Sequence, residues 1–96
     1  MITRIFRVQI KPHLRQEFEE KFATVSVQAV DSKEGFCDVA IGRPTRWDPD
    51  EYVMISRWEN EQALVQFAGS DWHQAIIPAG MEKFVESCSV HHYEAW

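Results

Sequence analysis

Residues 2–10, ITRIFRVQI, alternate between two sides. Ile2, Phe6, Val8 and Ile10 share one of them, with Arg4 the exception in that row, and Thr3, Ile5, Arg7 and Gln9 share the other. A period of two predicts a strand with one well-buried face. Pro12 falls where a first helical turn tolerates proline. From Leu14 the period changes. Phe18, Phe22, Val25 and Ala29 follow at spacings of three and four, with Glu17, Glu19, Glu20 and Lys21 between them. This predicts an amphipathic helix ending near Lys33, with Gly35 just beyond. FCDVAIG (36–42) reads as a second strand, RPTRWDPDE (43–51) with its two prolines as a loop, and YVMISRW (52–58) as a third strand. In that third strand Tyr52, Met54, Ser56 and Trp58 share one face, and Val53, Ile55 and Arg57 the other. Asn60 is placed to cap a helix whose apolar stripe is Ala63, Leu64, Phe67 and Ala68. Gly69 can end it, and Ser70 can cap a short continuation through Trp72 to Ile77 before Pro78 and Gly80 interrupt. A further turn over 81–85 and a last strand over 87–96 complete the chain.

The predicted order is strand, helix, strand, strand, broken helix, strand. A βαββαβ order gives an α+β, ferredoxin-like fold, a four-stranded antiparallel sheet with both helices on one face. Ile5, Val53 and Ile55 then lie on the opposite face and need a cover. A second copy packing sheet on sheet would supply it, so the expected state is a homodimer.

Composition adds limits. The 96 residues fit one domain, 1–96, and 45% hydrophobic with 26% charged residues is a globular balance. Four Trp and six Phe exceed the needs of one small core and leave a surplus for a pocket or an interface. A net charge of −5 without a Lys/Arg run argues against nucleic acid or an anionic membrane as partner. The two cysteines, Cys37 and Cys88, have no metal or CxxC spacing and read as buried small hydrophobes in a reducing compartment. The N-terminus lacks a continuous apolar stretch, so no signal peptide is expected and the predicted location is cytoplasmic.

Several short stretches resemble the antibiotic biosynthesis monooxygenase family of dimeric α+β barrels. They are Trp58-Glu59-Asn60-Glu61-Gln62-Ala63, Glu34-Gly35-Phe36 entering the second strand, Arg43-Pro44 leaving it, and Phe67, Ser70 and Ala75 beyond. The resemblance implies oxidation of a small aromatic or quinol substrate with O₂ and no prosthetic group. In that branch an Asn, a strand-end Trp and a Tyr contact the substrate, and the matching positions here hold Met54, Trp58 and Leu64. A second branch degrades haem through a first-strand Asn, a helix Trp and an axial His. Its positions here hold Phe6, Phe67 and Ile77, which implies no haem chemistry of that type.

The candidate substrate wall is therefore Phe6, Met54, Trp58, Phe67 and Trp72, although the core reading is favoured for Trp58 and more so for Phe67. The candidate bases are His73, just past the break at Gly69, and His92, which shares a strand face with Val90 and Cys88. Imidazole titrates near neutral pH and suits abstraction of a phenolic proton. His91 and His92 are adjacent on a strand and point to opposite faces, so they do not chelate one metal, and no metal site is expected. Trp47 in the loop reads as an interface anchor. The expected partners are a small aromatic molecule and a second copy of the chain. The alternative function is a small-ligand-binding or stress-associated barrel without catalysis.

Overall fold

The computed structural model describes residues 1–31 and 33–96. Four strands, β1 (Ile2–Ile10), β2 (Phe36–Gly42), β3 (Glu51–Trp58) and β4 (Val85–Glu94), form one antiparallel sheet in the order β2-β3-β1-β4. Helical segments α1 (Arg15–Lys21), α2 (Val27–Val30) and α3 (Glu61–Ala68) cover one face of it. Phe18, Phe22, Val30 and Leu64 from this layer are buried together with Val8, Tyr52 and Trp58 of the sheet. The fold is the α+β ferredoxin-like arrangement the alternation predicts.

The register places side chains in rows across the sheet. Arg4 lies opposite Ser56 on one side and His92 on the other, and the next row on that face brings Phe6 opposite Met54 and Val90. On the outer face Ile5 lies opposite Ile55 and His91. Among the described residues no helix is long and apolar enough to cross a membrane.

The first helix is less regular than its period suggests. A π turn over Phe22–Ser26 separates α1 from α2, and Asp31 leaves helical geometry with ψ 142°. The Thr24 hydroxyl donates to the Glu20 and Lys21 carbonyls at 3.0 and 3.4 Å, which competes with the helical ladder. Neighbouring Val25 and Val27 are β-branched and gain little from a helix. The predicted extension to Lys33 therefore stops at Val30.

The continuation through Trp72 to Ile77 does not form. Gly69 closes α3 at φ 84°, its N–H donating to Val65, and turns follow. The Trp72 and Gln74 carbonyls, which a helix would commit to amides four residues on, instead accept from Arg4 at 2.6 and 3.0 Å. Pro78, four residues after Gln74, has no N–H to offer it. The last strand begins two residues earlier than expected, at Val85, after a 3₁₀ turn over Glu82–Phe84.

Three contacts around Gly35 and the α3 cap explain the motif residues. Gly35, at φ 80°, sits where an added Cβ would fall 2.4 Å from the Ala63 Cβ. Its carbonyl accepts from the Glu59 N–H at 2.9 Å. Asn60 caps α3 by accepting from the Ala63 N–H at 2.9 Å. The Glu-Gly-Phe and Trp-Glu-Asn-Glu-Gln-Ala stretches are thus one packing unit. The cysteines correct an expectation: Cys37 and Cys88 are both exposed free thiols on strands β2 and β4, not buried hydrophobes.

Candidate active site

Between the sheet and the helical layer lies a partly enclosed cavity that is open to solvent. Phe6 and Met54 line it from the sheet, Phe22 and Phe67 from the helical layer, and Ile77 and Met81 from the segment that follows α3. The three positions that correspond to the haem-degrading branch, Phe6, Phe67 and Ile77, all face this one space. The π turn contributes Phe22 and Ser26, bringing a hydroxyl to an otherwise apolar helical wall.

The strongest polar group in the cavity is one that the strand pattern registers only as an exception. Arg4 is 4% exposed and lines the cavity. Its Nη1 donates to the Trp72 carbonyl and to His92 Nε2 at 2.9 Å, and its Nη2 donates to the Gln74 carbonyl. The guanidinium carbon sits 5.8 Å from the centre of the Phe67 ring. Burial pulls its pKa below the usual guanidinium value, but an arginine stays charged in a protein. A polar residue on an otherwise apolar strand face is the signal that could have found it.

The other candidates divide. Trp58 is fully buried behind the wall: it stacks on Phe67 at 5.0 Å, meets Phe36 edge-on at 5.6 Å and donates from Nε1 to Ser56 Oγ at 3.0 Å. It supports the wall and does not line the cavity. Trp72 packs edge-on against His92 at 4.6 Å, on the segment Arg4 holds to the sheet. His92 is half-buried and spends its Nε2 lone pair on Arg4. Burial, then the Arg4 cation, push its pKa from 6.5 to about 4, so it is neutral at neutral pH. His73 is exposed on the turn beside Trp72. The structure thus gathers Phe6, Met54 and Phe67 around the cavity, puts Trp72 and His92 beside Arg4, and leaves His73 on the outside.

A separate network at the far end of the inner face ties the first helix to β3. Tyr52 donates to Glu19, Arg15 pairs with Asp50, and Arg15 Nη1 donates to the Tyr52 hydroxyl oxygen at 3.2 Å. Burial and the Glu19 carboxylate raise the Tyr52 pKa. All these groups have partners, and the network reads as an anchor for α1.

The sequence profile of the antibiotic biosynthesis monooxygenase family matches residues 1–79, and the chain belongs to that family. Its fold is similar to several solved structures. One is the heme-degrader MhuD from Mycobacterium tuberculosis with two hemes bound in its active site, at 19% identity and TM-score 0.72, covering 99% of this chain and 95% of that one. Another is the N63A mutant of SnoaB, a cofactor-independent oxygenase from Streptomyces nogalater, at 18% identity and TM-score 0.70, with coverage of 98% and 91%. A third is an antibiotic biosynthesis monooxygenase at 17% identity and TM-score 0.74, with coverage of 100% and 99%. No curated protein matches the chain in sequence. Proteins of this fold therefore include both an oxygenase that needs no cofactor and a heme-degrader.

Proposed function

We propose that the chain is a monooxygenase that oxidises a small electron-rich aromatic or quinol with O₂ and no prosthetic group. The observation that carries this reading is the cavity itself. Its apolar aromatic walls suit a flat ring, and no histidine is among its described lining residues. The substrate supplies the electrons. Loss of the phenolic proton lets the ring give one electron to O₂, and superoxide recombines with the ring carbon. The resulting hydroperoxide loses water to leave a quinone, with one oxygen atom in the product and one in water.

His73, on the exposed turn beside Trp72, is the base of this proposal and would have to turn inward to reach a substrate hydroxyl. His92 is the weaker candidate, because protonating it would break its bond from Arg4 and set two cations side by side. Oxygen uptake with a hydroquinone and naphthol panel tests the activity. A general base contributes about 10²–10⁴-fold, so His73→Ala is expected to lower kcat/KM by at least ~10-fold with phenolic substrates. Unchanged kcat/KM would remove His73 from the mechanism.

The similarity to MhuD makes haem the competing ligand. A hemin titration followed in the Soret region is expected to show no ligated, saturable complex. A sharp shifted band with one- or two-haem stoichiometry would favour a heme-degrader instead.

The proposed working form is a homodimer, in the reducing cytoplasm. The uncovered sheet face carries Ile5, Val53 and Ile55, and Trp47 stands 77% exposed in the loop before β3. Packing that face against a second copy would bury both.

A further inference from the structure

A guanidinium has five N–H donors. In Arg4 two from Nη1 and one from Nη2 are committed, which leaves the Nε–H and the second Nη2–H. All three acceptors are neutral, and among the described residues no carboxylate pairs with Arg4. A charge taken out of water without an opposite charge is costly. A cation 4% exposed and held by carbonyls and an imidazole is therefore built for an anion from outside. Nε has no partner, and among the described residues no fully enclosed side-chain nitrogen or oxygen lacks one, so Nε is not sealed among packed atoms. Arg4 lines the cavity.

Nε and Nη2 can present two parallel N–H bonds along one edge of the guanidinium, which match the two oxygens of a carboxylate. Ser56 lies directly across from Arg4 on β3. Its Oγ accepts from Trp58, which leaves its own O–H to donate into the cavity. One row further along the same face, about 6.6–6.8 Å away at strand spacing, come Phe6 and Met54. Phe67 flanks the guanidinium from the helical side.

We propose that the cavity takes a small aromatic monocarboxylate, its two oxygens on the free Nε–H and Nη2–H of Arg4. The Ser56 hydroxyl is a third donor, and the ring lies against Phe6, Met54 and Phe67. The proposal deepens the oxygenase reading and rests on it for the fate of the ligand. The acid is the handle, and the hydroxylated ring beyond it is the part presented to O₂. A second carboxylate would find no cation among the lining residues, so dicarboxylates are poor ligands.

Calorimetry under argon, with the wild-type protein, compares 4-hydroxybenzoate with its neutral isostere 4-hydroxybenzamide. The acid is expected to bind at least ~10-fold more tightly. The ¹⁵N-edited Nε–H signal of Arg4 should move with the acid and stay still with the amide. Arg4→Lys keeps the charge and loses the fork, and it should abolish most of the preference for the acid over the amide. Equal affinities, no binding of either compound up to millimolar concentration, or an Arg4→Lys protein with the full preference would each overturn the proposal. The wild-type comparison does not depend on any variant folding. Oxygen uptake is scored separately: acid preference without uptake upholds this site and removes the oxygenase reading, whereas uptake of neutral quinols without acid preference does the reverse.

Discussion

Arg4 and Trp58 exchange the parts that sequence pattern suggests for them. A tryptophan at a strand end attracts a functional reading, yet Trp58 is fully buried, stacked on Phe67 and hydrogen-bonded to Ser56. Trp58→Ala is expected to cost about 3–5 kcal/mol, read from urea denaturation; a loss below ~1 kcal/mol would show that the site is not core. Arg4, an interruption in an apolar row, is the charged group of the cavity. The alternation places it on the inner face, but only the register reveals that its neighbours are Ser56 and His92, and among the described residues no carboxylate pairs with it. His92 adds a pH signature. Its folded pKa of about 4 lies below the unfolded value of 6.5, so its contribution to stability is full above pH 6.5. Between pH 6.5 and about 4 the unfolded chain takes up a proton that folded His92 refuses, and that contribution is lost as pH falls. His92→Gln should flatten this part of the stability profile in urea melts at pH 7 and 4.5; parallel losses in both proteins would refute the assignment.

The elements were legible wherever the hydrophobic period ran undisturbed. All four strands and α3 with its Asn60 cap follow from local pattern, because cap, stripe and terminal glycine agree there. The places where pattern failed are those where distant groups intervene. Residues 70–77 have helical composition, but Arg4, about seventy positions away, takes two of their carbonyls and Pro78 withholds an amide. Removing this anchor has a local consequence. In Arg4→Met, amide exchange over residues 71–76 should quicken by at least ~10-fold while the α3 amides change little. Uniform acceleration of both would mean that Arg4 supports the whole fold. The junction of Gly35 with α3 makes a second test. Gly35→Ala would clash with the Ala63 Cβ and strain a backbone at φ 80°, costing about 1–3 kcal/mol. Adding Ala63→Gly should recover only part of it, because the backbone strain remains. Full recovery would assign the entire cost to the clash.

For the molecule as an assembled unit, one sheet face is covered by its own helices and the other is not. Ile5 and Ile55 sit opposite each other at the centre of the uncovered face, with Arg57 and Asp38 joined in a two-pronged ion pair beside them. A charge placed between two such faces would be buried unpaired, so Ile55→Glu should convert a dimer to a monomer in light scattering without loss of helical signal. A wild-type protein that runs as a monomer at micromolar concentration would contradict the homodimer outright. The cavity lies between the sheet and the helical layer, on the face away from Ile5 and Ile55. The family and the fold are legible in the sequence, whereas the polar row of Arg4, Ser56 and His92 is built by strand register and no local pattern spells it out.

The central claim, oxygenation without a cofactor, is tested most directly by an oxygen electrode. Protein freed of haem, flavin and metal is mixed with a panel of hydroxylated aromatic acids and quinols. Uptake above autoxidation is expected, with one O₂ consumed per quinone formed and no dependence on added hemin. No uptake with any member of the panel, or uptake only once hemin is supplied, would contradict it.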